Sequence, residues 1–109
     1  MVKLYIGGAW QGQEELARQE NPGATVLADF HETIRAAVDA GEDPRSFARR
    51  ICLEQPDAVI VANEVGAGVV PVSAADRAFR EAVGRALCII AQEARQVTRV
   101  VCGIGVRIK

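Results

Sequence analysis

Five consecutive apolar residues, Ala58-Val59-Ile60-Val61-Ala62, lie between a turn-forming Gln55-Pro56-Asp57 and the polar pair Asn63-Glu64. The run is too short for a buried helix, and its branched residues favour an extended chain. No polar residue alternates with the apolar ones, so both faces of this strand need cover. That is the pattern of a central strand in a parallel sheet with helices on either side. The rest of the chain must then supply further strands and crossover helices that return it to the same end of the sheet.

Those pieces can be read in order. Val2, Leu4 and Ile6 alternate with Lys3 and Tyr5, which is strand periodicity. Glu14 to Glu20 has room for a short helix before Asn21-Pro22-Gly23 stops it. Ala24 to Phe30 reads as a second strand, with Asp29 at its carboxyl end. From His31 to Ala40 the pattern is helical, with Ile34 and Val38 four apart and Gly41 as a stop. Asp43 and Pro44 suit the N-cap and first position of another helix, whose buried face carries Phe47 and Ile51. Asn63-Glu64-Val65-Gly66 opens a glycine-containing loop to Pro71. Ser73 with Asp76 resembles a capping box. The long helix beyond it carries Phe79, Val83, Ala86 or Leu87, Ile90 and Ala94 along one stripe. Arg99 to Cys102 reads as the last full strand, and Val106-Arg107-Ile108 as a short addition. The expected fold is one α/β domain over residues 1–109, with a mostly parallel sheet flanked by helices.

Composition narrows the function classes. A length of 109 residues suits one domain. A formal net charge of -1 supplies no basic field, so nucleic acid is not an expected partner. No apolar run approaches the roughly 18 residues of a membrane helix, and no secretory pattern opens the chain. Cys52, Cys88 and Cys102 make neither a metal pair nor an even disulfide set, and read as buried thiols of a cytoplasmic protein. Asp29 and Glu64 could hold a metal if they converge, but single acidic residues at strand ends more often bond to loops, so no catalytic or metal-binding residue is assigned.

Ligands of open parallel sheets bind beyond the carboxyl ends of the strands. Three features fall there: the glycine loop after the first strand, Asp29, and Asn63-Glu64. The loop, Gly7-Gly8-Ala9-Trp10-Gln11-Gly12-Gln13-Glu14, has the strand, glycine loop and helix context of a phosphate-binding P-loop. Gly7 and Gly12 stand at the framing positions, and Gly8 adds backbone freedom. The lysine position holds Gln13, however, and the hydroxyl position Glu14. A carboxylate about 5 Å from a phosphate charge repels it by about 3 kcal/mol at an effective dielectric near 20, roughly a hundredfold in affinity. Glu14 is expected to favour the helix N-terminus instead. Trp10 is expected to fill space or meet a partner, with stacking on a base or another flat ring as the alternative.

From the third strand onward the chain resembles the carboxyl-terminal half of the bifunctional adenosylcobinamide kinase / adenosylcobinamide-phosphate guanylyltransferase family. AVIVANEVGAGVVP, SAADRAFREAVGR and VVCGIGVRIK carry the likeness, through Asn63, Glu64, Val65, Gly66, Gly68, Pro71, Phe79, Arg80, Gly84 and Arg85. The amino-terminal glycines and the acidic residue of VLADF, Asp29, also fit. The resemblance implies a P-loop, RecA-like fold of reduced size, a role in cobalamin biosynthesis, and a site edge formed by Asp29, Asn63, Glu64, Arg80 and Arg85. GTP or ATP with Mg²⁺, a corrinoid, and a homo-oligomer are the implied ligands and partner.

The departures from that family cluster. Gly12-Gln13-Glu14 stands where the family has Gly-Lys-Ser, and Leu87-Cys88 where it has Asn-Gln. The family's segment holding the guanylylated histidine is collapsed to the turn around Pro22, and His31 lies in a different context. The expectation is a catalytically degenerate member with a binding or assembly role. The alternative is an active nucleotide-dependent cobinamide kinase or guanylyltransferase with an atypical P-loop.

Overall fold

The computed structural model describes residues 1–64 and 73–109; Val65, Gly66, Gly68 and Pro71 of the sequence likeness lie outside them. In order, the described chain forms β1 (Lys3–Gly7), α1 (Gln13–Glu20), β2 (Val26–Leu27), α2 (Phe30–Asp39) and α3 (Pro44–Glu54). β3 (Val59–Asn63), α4 (Ala74–Glu93), β4 (Gln96–Val101) and β5 (Ile104–Arg107) follow. The five strands make one sheet in the order β2-β3-β1-β4-β5. The first four are parallel, and β5 runs antiparallel to β4.

Period-two alternation in the central strands divides the core into two layers. Leu4, Ile60, Ala62 and Val97 face one side, where Phe30 and Ile34 of α2, Phe47 of α3, and Val83, Ala86 and Ile90 of α4 bury them. Tyr5, Val59, Val61 and Val100 face the other, under Ala17 and Leu16 of α1. β3 is therefore covered on both faces, as its unbroken apolar run requires. Phe30 and Phe47 stack with ring centroids 6.0 Å apart, joining α2 to α3.

Helix ends follow the expected chemistry. Asp43 caps α3 by accepting from the Ser46 backbone N–H at 2.9 Å. That bond, with the Ser46 hydroxyl, holds the Asp43 carboxyl below the usual carboxylate range. Ser73 caps α4 through the Asp76 N–H. At the other end of α4, the Lys109 ammonium donates to the carbonyls of Ala91 and Gln92, which otherwise lack helical partners. Beneath the end of α1, the buried Tyr5 hydroxyl donates to Glu20 at 2.7 Å and accepts from Asn21. Burial first, then the Glu20 carboxylate, push its ionisation up.

Several expectations need correction. The second apolar run does not stay extended to Phe30: only Val26–Leu27 pair with β3. Asp29 takes a left-handed backbone (φ 50°) as the N-cap of α2, and Phe30 turns into the core as the first helical residue. β4 begins earlier than Arg99, at Gln96 beside Lys3, and stops before Cys102. Cys102 and Gly103, with φ of 51° and 76°, form the two-residue turn into β5. The thiols are not all buried: Cys88 and Cys102 are exposed and Cys52 is half-buried.

Candidate functional site at the carboxyl edge of the sheet

The glycine loop runs from the end of β1 to the start of α1 and lies beside the end of β3. Gly7 is required by close approach, because a Cβ there would stand 2.5 Å from the Val100 carbonyl oxygen of β4. Gly12 is required by conformation: it is the N-cap of α1 with φ 84°, and no side chain caps the helix. Trp10 also has positive φ (64°), a costly geometry for a bulky residue, and is 98% exposed. It therefore fills no space within the described fold, contrary to one expectation for it.

Gln13 stands where a P-loop places its lysine, and it is buried. Its amide nitrogen turns back into the loop, 2.8 Å from the Asn63 side-chain oxygen and 3.0 Å from the Gly8 carbonyl. The Gly7 and Ala62 carbonyls lie at 3.3 and 3.5 Å. The backbone neighbours are acceptors only, so this end of Gln13 must be the NH₂, and its two protons go to the two shortest contacts. Glu14 does not cap the helix; it pairs with Arg18 at 3.0 Å across one turn, both half-exposed.

A hollow of about 490 Å³ opens over the loop, lined by Trp10, Gln13, Glu14, Glu15, Arg18, Asp29 and Asn63 among others. Three carboxylates and one guanidinium therefore edge it among the described lining residues, and the guanidinium is paired with Glu14. Asp29 and Asn63 thus join the loop as expected. Glu64 does not: it lines a second hollow of about 350 Å³ between α4 and the sheet, and pairs with Arg99 at 3.7 Å. Asp29 and Glu64 accordingly edge different hollows, and no cluster of three or more metal-ligating side chains forms among the described residues. Arg85 is exposed and pairs with Glu81, while Arg80 is half-buried on the same helix. Leu87 and Cys88 line the second hollow with Leu4, Ile6, Val83 and Ile108.

One residue of this edge could not be picked out from sequence. His31 is buried at the start of α2, and its Nδ1 accepts from the Asn63 backbone N–H at 3.1 Å. The neutral ring therefore carries its proton on Nε2. It reaches Asn63 across 32 positions of sequence, a distance no local pattern encodes.

An α/β sheet with β1 central, a glycine loop running into α1, and β3 ending beside that loop defines a P-loop-like protein of small size. The model of the cobinamide kinase / cobinamide phosphate guanyltransferase family matches residues 8–108, and the chain belongs to that family. It is 51% identical over 51 residues to the bifunctional adenosylcobalamin biosynthesis protein CobU of Escherichia coli strain K12, covering 47% of this chain and 28% of that protein. To the protein of the same name from Salmonella typhimurium strain LT2 it is 49% identical over 51 residues, again 47% of this chain and 28% of the relative. The match thus spans less than a third of the length of these curated relatives. No described helix is long and apolar enough to cross a membrane.

Proposed function

We propose that this chain is a non-catalytic member of the cobinamide kinase / guanyltransferase family, serving cobalamin biosynthesis by binding or assembly rather than by phosphoryl or guanylyl transfer. The observation that carries the reading is Gln13. A P-loop lysine brings a charge to the bound phosphates, and the next hydroxyl ligates Mg²⁺. Here the equivalent amide is neutral, buried, and bonded to the loop's own carbonyls and to Asn63. Glu14 and its neighbours make the rim acidic, which repels the polyphosphate of GTP or ATP and does not fit it. Nucleotide or corrinoid binding at this edge is accordingly weak, and the functional partner is another copy of this chain or the active enzyme. The site residues are then Gly7, Gly8, Gly12, Gln13 and Glu14 as an inherited loop shape, with Asp29 and Asn63 at its edge and Glu64, Arg80 and Arg85 on the neighbouring surface.

One observation favours the competing reading of an active kinase. The loop still runs into the N-terminus of α1 at Gly12, beside a 490 Å³ hollow, which is the setting in which backbone N–H groups hold a phosphate. The two readings separate on purified protein. Mg²⁺-dependent phosphorylation of cobinamide, or transfer of GMP from GTP to the protein, overturns the non-catalytic reading. The double substitution Gln13→Lys with Glu14→Ser is expected to create nucleotide binding where the parent has none; an active atypical kinase would change little.

A further inference from the structure

Two glutamines fasten the glycine loop to opposite sides of the molecule. Gln13 ties it to Asn63 at the end of β3. Gln11 ties it to the β4–β5 turn: its backbone carbonyl accepts from the Gly103 N–H at 2.7 Å, and its side-chain carbonyl from the Cys102 N–H at 2.7 Å. A single residue thus receives two consecutive N–H groups from a turn 91 positions away. β4 is held along Gln96–Val100 by its pairing with β1, but the strand that leaves the turn has few buried contacts until Ile108 and Lys109 bond back to Val97. All four residues of β5 are exposed, β5 pairs with β4 alone, and its apolar Ile104 and Val106 are 68% and 55% exposed. An element with few buried contacts opens easily unless it is tethered.

We propose that the loop is a self-fastened brace, which holds the β4–β5 turn against the β1–β3 seam so that loop and turn open as one unit. The chain of bonds is continuous. It runs from the Cys102 and Gly103 amides through Gln11, along the loop to Gln13, and on to Asn63 and His31 of α2. The Glu64 N–H donates to the Gly7 carbonyl at 2.8 Å, which continues the β1–β3 ladder to the point where the loop begins. The side-chain amides therefore supply order that the loop would otherwise draw from a bound anion. The order of the exposed turn becomes a function of the state of the loop. The inference goes beyond the non-catalytic reading, because a brace of this kind holds whether or not a nucleotide binds weakly above it.

Residue-resolved amide exchange tests the proposal on the intact chain. Gln13→Ala touches neither turn residue, yet it is expected to speed exchange of the Cys102 and Gly103 amides by about fivefold, the ratio for loss of one ordinary hydrogen bond. Faster exchange confined to residues 8–15 would overturn the brace. Should Gln13→Ala fail to fold, Gln11→Ala removes a half-exposed side chain and is expected to speed exchange at Glu64 on the far side of the loop; no change there refutes the coupling. Repeating the measurement on the parent with GTP and Mg²⁺ separates the two claims. Protection of loop amides by nucleotide would count against the non-catalytic reading and leave the brace standing, whereas failed transmission to the turn would do the reverse.

Discussion

The hollow over the glycine loop and the hollow between α4 and the sheet differ in how their linings are built. Over the glycine loop the polar groups are numerous; Gln13 turns inward to Gly8 and Asn63, and Glu14 pairs with Arg18. Between α4 and the sheet the lining is apolar, with Leu4, Ile6, Val83, Leu87 and Ile108 facing the space and Glu64 at its rim. The first has the glycine frame of a P-loop with a neutral amide at its lysine position. The second has apolar packing. Buried polar groups beside the loop backbone thus find partners within the chain, whereas the helix–sheet hollow is lined by side chains that need none.

That contrast can be broken experimentally. Leu87 is 7% exposed, so restoring the family's residue by Leu87→Asn is expected to lower stability by about 3 kcal/mol, through lost apolar burial and an unpartnered amide. A near-neutral result in urea denaturation would mean that the second hollow still accepts polar groups and is a site. In the loop, Gly7→Ala is expected to destabilise by about 2 kcal/mol, because its Cβ meets a backbone oxygen that cannot move aside. Gly8→Ala, whose nearest neighbour would be the Gln11 side chain at 3.8 Å, should change stability little. Equal effects at the two glycines would show that the loop is not held as described. A smaller effect reports on the far end of α1. Tyr5 ionises above its ordinary value in the fold, so its contribution is fully present below pH about 10 and is lost as pH rises through the raised folded value. Tyr5→Phe should flatten that alkaline decline in the urea midpoint while costing about 1 kcal/mol at neutral pH.

Much of this architecture is legible in the sequence. The Ala58 to Ala62 run announced a doubly covered strand, and β3 is one, with alternate residues in the two core layers. Asp43-Pro44 and Ser73 announced two helix starts, because capping is local chemistry. ATVLADF misled because its apolar residues serve two elements: Val26 and Leu27 pair in the sheet, while Phe30 is buried by a helix that begins at an Asp in left-handed geometry. The site was half legible. Glycine spacing located the loop, and the residue types at positions 13 and 14 announced the lost charge. The inward turn of Gln13, the Gln11 tether and the His31 bond to Asn63 were not, since each joins residues far apart in sequence through tertiary placement.

The central claim is that the loop is an inherited shape without phosphate affinity, and calorimetric titration with GTP and with ATP, each with and without Mg²⁺, tests it most directly. The account predicts no heat of binding at nucleotide concentrations up to about 1 mM, corresponding to less than about 4 kcal/mol of binding free energy. Saturable binding in the micromolar range, dependent on Mg²⁺ and abolished by Gly12→Val, would contradict it.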